Sequence, residues 1–415
     1  MAIHGCLEWK TQRDVRNVLV HIGIKRDEML RAHKIRLSPN NKQRTMLLKT
    51  CGCARLAYNW GLAEWRRQYE NGERPNANSI DKKFNEVKKE LYPFTSQVSS
   101  WATCKAIQEL GDAFRNFFRR VRNKETPGYP KFKKKGLKES FYTPGGRVVI
   151  NSNKIKLPRL TDIKMTQELR YIGRIISVVV SLRAGEWYAA VLVEIPDSEN
   201  QVSGVAVGVD LGIKKLATLS DGTEFENCRS TKKFESKLRK ENKALARKVK
   251  GSNNFNKQKL KLQKLHKKIQ DVRLDSTHKM TSYIAYHYSD VCLEDLNVSG
   301  MVKNKKFAKS VLDASFYEIR RQLVYKCERV HFISTWFPSS KLCSQCGAIN
   351  NMPLSKRVFK CDCGYGPVDR DLNAAQNILR QSLLNVKPVE FETPVILKQP
   401  ESQTMKQERH LEPVT

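Results

Sequence analysis

The tightest constraint on the fold of this chain is a charged residue where a buried strand should end. The run GVAVGVD is apolar until its last residue, Asp210, and a second apolar run, Val291-Cys292-Leu293, stops at Glu294. A carboxylate at the end of a buried strand is costly unless something compensates its charge. For either acid alone, a solvated strand end or a salt bridge is sufficient explanation. A third acid changes the balance. The stretch VDRDLNAA, residues 368–375, opens a helix in which Asp371 shares a face with Ala375 and Ile378, while Asp369 shares one with Asn373 and Gln376. Helical spacing therefore aims Asp371 inward and leaves Asp369 outward as a cap or supporting group. A fold that serves all three acids must bring residues 210, 294 and 371 together.

Three hard oxygen ligands suit Mg²⁺ or Mn²⁺. Two such ions about 3.5–4 Å apart can activate a water and stabilise the leaving oxygen of a phosphodiester. After the Asp210 strand come KKLATLS and TEFEN around Asp221-Gly222, a strong hairpin signal. A strand and hairpin, then an acid-bearing strand, then an acid-bearing helix is the order of an RNase H-like α/β fold.

A second constellation is Cys343-x-x-Cys346 followed by Cys361-x-Cys363, with glycine after each pair. Four thiolates this close in sequence suit tetrahedral Zn²⁺, and with every position filled by protein the metal is structural. The alternative is two reduced cysteine pairs without metal, and the second pair forms a tighter loop than Cys-x-x-Cys. The other seven of the 11 cysteines are scattered, apart from the pair at 51 and 53, which argues against a disulfide framework.

The chain carries 76 Lys and Arg against 42 Asp and Glu, a formal net charge of +34. Such an excess speaks to partners rather than to fold: a polyanion is the natural one, nucleic acid ahead of the alternatives of a basic ribosomal-type or membrane-surface protein. It is concentrated in a helical pair at about 231–250 and 255–275, broken at Gly251-Ser252-Asn253-Asn254; Leu238, Leu245 and Val249 share one face, Leu262, Leu265 and Ile269 the other. A hairpin lying along a nucleic-acid backbone is the preferred reading. Residues 123–136 form a basic linker holding Tyr129 and Phe132, a composition that suits single-stranded nucleic acid. With 415 residues, two or three domains are expected. Apolar stripes predict helices over 41–69, capped by Ser38 with Pro39 in the first turn, and over 101–122. From 140 to 195 the period is that of strands, with a hairpin turn at Arg183-Ala184-Gly185-Glu186 and a barrel-like module expected. No run reaches the roughly 18 apolar residues of a membrane helix, so no membrane partner and a cytosolic location are expected.

These residues carry a family resemblance. LRAHKIRLSPNNKQ, CARLAYNW, GYPKFK, GVDLGIKKLATLSDG, EDLNVSGM, PSSKLCSQCG and DRDLNAAQNI, spread over about 29–380, resemble TnpB (OrfB), the accessory protein of insertion-sequence transposons and a relative of type V CRISPR effectors. The resemblance implies an α/β multidomain protein in which Asp210, Glu294 and Asp371 bind magnesium and act as catalytic acids of a RuvC-like nuclease. It also implies a structural zinc on Cys343, Cys346, Cys361 and Cys363. The implied partners are a guide RNA from the transposon end and double-stranded target DNA. The division expected is a leader at 1–28, a wedge β domain at 29–45 and 123–202, and a helical recognition domain at 46–122. The RuvC-like nuclease takes 203–340 and 367–384, the zinc insert 341–366, and a disordered tail 385–415. Tyr58, Asn59 and Trp60 stand where the family works near DNA, and equally on a buried helix face. The leader and the Cys-x-Cys pair depart from the family pattern.

RNA-guided DNA cleavage is the first expectation. A cleavage-inactive DNA-binding regulator is the second, with loss of an acid as its signature; all three acids are present. A strand-joining transposase is the third, and neither a tyrosine nor a serine recombinase signature is recognisable.

Overall fold

The computed structural model describes residues 28–196, 204–353 and 355–385. Of the expected leader at 1–28 only Glu28 is described, as the first residue of a strand, and of the expected tail at 385–415 only Asn385, as the last of a helix; the rest of both lies outside these residues.

Strand β1 (Glu28–Ser38) leads into helix α1 (Asn41–Glu70). The cap is Asn40 rather than Ser38. Asn40 Oδ1 accepts the Gln43 amide at 2.9 Å and Gln43 Oε1 accepts the Asn40 amide at 2.9 Å. This reciprocal pair satisfies two otherwise orphaned donors, while Ser38 still pairs with Lys164 as strand. Helices α2 (Ala77–Leu91) and α3 (Ser100–Arg122) pack on α1. Six strands follow: β2 (Glu139–Pro144), β3 (Val149–Asn151), β4 (Lys154–Lys156), β5 (Ile163–Met165), β6 (Arg174–Arg183) and β7 (Glu186–Pro196). The β6–β7 turn places Ala184 at φ 49 and Gly185 at φ 81, a two-residue turn whose twist matches the strands. The antiparallel ladder runs β2-β6-β7-β1-β5-β4-β3. Its inner face (Ile35, Val178, Val180, Val191) and the helices (Leu47, Leu62, Phe84, Ile107, Leu110) share one buried cluster.

The linker after α3 is not free. Asn59 donates to the Lys133 carbonyl at 3.0 Å and accepts the Lys133 amide at 2.8 Å. Tyr129 stands edge-on to Phe114 and Phe117, at 5.6 and 5.3 Å, covering the end of the α3 stripe. Tyr58 is buried, under the Lys133 ammonium at 3.9 Å.

The second half holds β8 (Ala206–Leu211), β9 (Lys215–Leu219) and β10 (Glu224–Glu226), then α4 (Ser230–Lys233), α5 (Glu235–Ala246) and α6 (Asn253–His287). Next come β11 (Asp290–Glu294), α7 (Val298–Lys303), α8 (Ala308–Ala314), α9 (Phe316–Lys326) and β12 (Arg329–Ile333). Short strands β13 (Val358–Phe359) and β14 (Val368–Asp369) close the cysteine-bearing insert, and α10 (Arg370–Asn385) ends the described chain. The sheet order is β10-β9-β8-β11-β12. β8, β9 and β10 form an antiparallel meander, and β11 runs parallel to both β8 and β12. Along the chain, the strand and hairpin, the acid-bearing strand β11 and the acid-bearing helix α10 come in the order read from the sequence. The basic hairpin is present, but α6 continues to His287 because Thr277, Met280, Thr281 and Ile284 carry a buried face onto the sheet. Val249, expected on the apolar face, is 78% exposed.

Candidate active site

The register of two parallel strands sets the first pair of acids. Val209 pairs with Leu293, so Asp210 and Glu294 follow one residue later, side by side at the ends of β8 and β11. The third comes from α10, which lies across β8. Gly208 makes that approach possible: a β-carbon there would stand 2.0 Å from the Ala375 carbonyl oxygen and 2.8 Å from the Leu379 amide nitrogen. Asp371 is one turn before Ala375. Asp369, as its outward position suggested, caps the helix: its Oδ1 accepts the Asp371 amide at 2.7 Å, and its Oδ2 meets the Lys215 ammonium at 2.9 Å.

Charge and burial act together here. Burial pushes the Asp210 carboxyl up to about 7, aided by the charges of Glu294 and Asp371 and opposed by Arg370. Burial also raises Glu294, against a hydrogen bond from the Ser339 hydroxyl to its Oε1 at 2.5 Å. Asp371 is flanked by Arg370 at 3.2 Å and Arg357 at 3.5 Å. The negative charges of Glu294 and Asp371 thus oppose ionisation of the buried Asp210, a cost that a nearby positive charge would offset.

The four cysteines converge. Their Sγ atoms all lie within 4.8 Å of one another, with Cys343–Cys363 at 3.7 Å and Cys346–Cys361 at 3.6 Å. Tetrahedral zinc with Zn–S bonds of about 2.3 Å implies edges of about 3.8 Å, whereas a disulfide requires about 2.05 Å. The tight Cys-x-Cys loop therefore reaches the same point as the Cys-x-x-Cys loop. Gly347 and Gly364 after each pair have φ of 80 and 89, conformations that L side chains resist.

Some supporting residues escaped the sequence reading. The α10 face expected to look outward is covered by residues 339–344. Asn373 Nδ2 donates to the Leu342 carbonyl at 2.7 Å and its Oδ1 accepts the Ser344 amide at 3.0 Å. Asn377 Nδ2 donates to the Ser339 and Leu342 carbonyls at 2.8 and 2.6 Å. Both asparagines are fully buried. Two Asn four apart beside an alanine pair was the available signal, since Asn has no intrinsic reason to sit inside a helix.

A family model described as "Probable transposase", of the IS605 OrfB type, matches residues 190–305. A "Helix-turn-helix domain" model of the same group matches 29–74, where this chain has β1 and the single 30-residue helix α1. A "Cas12f1-like, TNB domain" model matches 316–378, which contains the four cysteines. A "Putative RNA-guided DNA endonuclease" from Streptomyces pristinaespiralis is 36% identical over 86% of this chain and 90% of its own length. The "Putative RNA-guided DNA endonuclease InsQ" of Escherichia coli K12 is 32% identical over 84% of this chain and 92% of its own. Among solved structures, a Cas12f1–sgRNA–target DNA complex aligns with a TM-score of 0.50 at 14% identity, over 85% of this chain and 98% of that one, a likeness of fold. No described helix is long and apolar enough to cross a membrane.

Proposed function

Because the chain belongs to the TnpB (OrfB) family, we propose that it is an RNA-guided DNA endonuclease that hydrolyses phosphodiester bonds at Asp210, Glu294 and Asp371. The carrying observation is the parallel register that sets Asp210 beside Glu294, with the Asp371 helix seated over β8 through Gly208. These three carboxylates would hold Mg²⁺ or Mn²⁺. When bound, the metal supplies a nucleophilic water at neutral pH and a counter-charge for the leaving oxygen.

The protein's own part is orientation. Ser339 holds Glu294 in one rotamer, and Asp369 and Lys215 fix the first turn of α10, hence the direction of Asp371. Arg357 and Arg370, paired with Asp371, put positive charge beside the acids that would favour an incoming phosphate. In this reading sequence choice belongs to base pairing between the guide and double-stranded target, and the protein reads a short flanking motif and duplex shape. The segments 29–45 and 123–202 serve as wedge, 46–122 as recognition lobe, 203–340 and 367–384 as nuclease, and 341–366 as zinc-bearing insert. The site of action is the cytosol, on the host DNA.

The test begins with the chain expressed beside its flanking DNA and the copurifying RNA sequenced. One abundant RNA with a variable end supplies a matched target. Mg²⁺-dependent cutting of that target should vanish in Asp210→Ala, Glu294→Ala and Asp371→Ala, while target binding persists. Cutting by all three variants would remove these acids from the chemistry. Heterogeneous RNA and no matched cutting would replace guidance with nonspecific binding.

A further inference from the structure

The turn after β12 joins two structures already described. Ile333 pairs with Glu294 across parallel strands, and its carbonyl accepts the Asp295 amide at 3.0 Å. Six residues later Ser339 reaches back to Glu294 at 2.5 Å. Between them the chain folds tightly. The Phe337 amide donates to the Ser334 carbonyl at 3.1 Å, the Ser339 amide to the Phe337 carbonyl at 2.8 Å, and the Thr335 hydroxyl to the Asp295 carbonyl. Phe337 turns inward onto Cys292, Ile333 and Ile378. Trp336, at the tip, is 92% exposed.

An indole in water forgoes one of the largest burials any side chain offers. Here nothing in the turn needs it there. Phe337 supplies the apolar anchor, and Thr335 and Ser339 supply the polar ones. The tether on both sides holds the backbone under Trp336 in place, which lowers the cost of ordering the ring against a ligand. Trp336 stands three positions after Ile333, a reach of at most about 11 Å. The Arg320 guanidinium pairs with Asp295, whose carbonyl accepts the hydroxyl of Thr335 next to Trp336, and lies over the Phe332 ring at 4.1 Å. An exposed aromatic face with a guanidinium nearby is the pairing that single-stranded nucleic acids use, with a base on the ring and a phosphate on the cation. A duplex keeps its base faces stacked and offers none to such a ring.

We propose that Trp336 is a stacking platform for a nucleobase of the DNA single strand led into the carboxylate site. The inference rests on the nuclease reading for its choice of strand. Stacking tolerates every base, so the platform adds affinity and position without imposing sequence, and leaves sequence choice to pairing.

The test uses the full chain with its copurifying RNA, in an Asp210→Ala background that stops cutting. The probe is an oligo-dT strand carrying one 2-aminopurine, whose fluorescence falls on stacking. Trp336→Ala should weaken binding about tenfold and abolish the quench, and Trp336→Phe should keep most of both. The salt dependence should keep its slope, because no phosphate contact is lost. Unchanged binding and quenching in Trp336→Ala overturns the platform and assigns the ring to a protein contact. Equal loss in Trp336→Phe and Trp336→Ala also overturns it, because a phenyl face still stacks. Trp336-dependent quenching, together with failure of the chain with Asp210 intact to cut a matched target, would keep the platform and sink the guided-nuclease reading.

Discussion

Gly208 decides how closely α10 approaches β8, and through that distance where Asp371 stands relative to Asp210. The β-carbon of an alanine would meet backbone, the Ala375 carbonyl at 2.0 Å, so no side-chain rotation relieves the clash and the helix must move. Overpacking of this kind costs about 1–3 kcal/mol, and a displacement of about 1 Å at a reacting group can cost about 100-fold in rate. Gly208→Ala should therefore lower cutting by about two orders of magnitude while nucleic-acid binding stays near normal. Gly204→Ala, which meets nothing within 4 Å, is the control. Equal rates for the two variants would remove the helix–strand approach as the determinant. Asp210 and Glu294 stood out because each ends an apolar run, and Asp371 because its helical face also carries Ala375 and Ile378, signals local to a few residues. Gly208 and Ser339 were not. One glycine in GVAVGVD looks like any other, and the Ser339–Glu294 contact spans 45 residues.

Elements were legible where the signal is periodic, and less so where it depends on what packs against them. The hairpin at 183–186 and the helix over 41–69 follow from turn chemistry and apolar spacing. The far end of α6 did not, because its buried face there includes Thr277 and Thr281, whose hydroxyls are satisfied by the Arg273 and Thr277 carbonyls at 3.0 and 2.9 Å. The 339–344 segment is the case with a functional consequence. It is clasped by Asn373 and Asn377, holds Glu294 through Ser339, and runs directly into Cys343. The insert's own core is small, with Cys343, Met352 and Phe359 fully buried, so a structural metal is the natural source of its stability. Stripping zinc with a strong chelator, or Cys343→Ser, should speed amide hydrogen exchange across 339–368 and lower cutting by more than about tenfold. The core shared by β1, β7 and α1 should keep its protection. Unchanged exchange in the insert after zinc loss would mean that the clasp alone holds the segment.

Net charge was legible for the whole molecule, and its direction was not, because a sum of charges has no geometry. Pairing already occupies some cations, Lys215 with Asp369 and Arg273 with Asp313 among them. The surplus of 34 is more than local pairing explains. On α6, Lys257, Lys261 and Lys264 are exposed and recur at helical spacing, forming a stripe on a helix of 35 residues. Lys268 continues the stripe but lies over the Phe234 ring at 5.4 Å, so its removal would confuse packing with charge. If the stripe follows a duplex backbone, replacing the first three by Gln should flatten the plot of log affinity against log salt by about 0.9 per phosphate lost, roughly 2.7 in all. The cleavage rate of target already bound should not change, since the stripe lies on a different element from each of the three acids. An unchanged slope would free the stripe from this role and direct attention to the last turn of α3, with Arg119, Arg120 and Arg122, and the basic linker after it, where Arg66 stacks over Tyr129 and Phe132 at 5.2 and 5.1 Å.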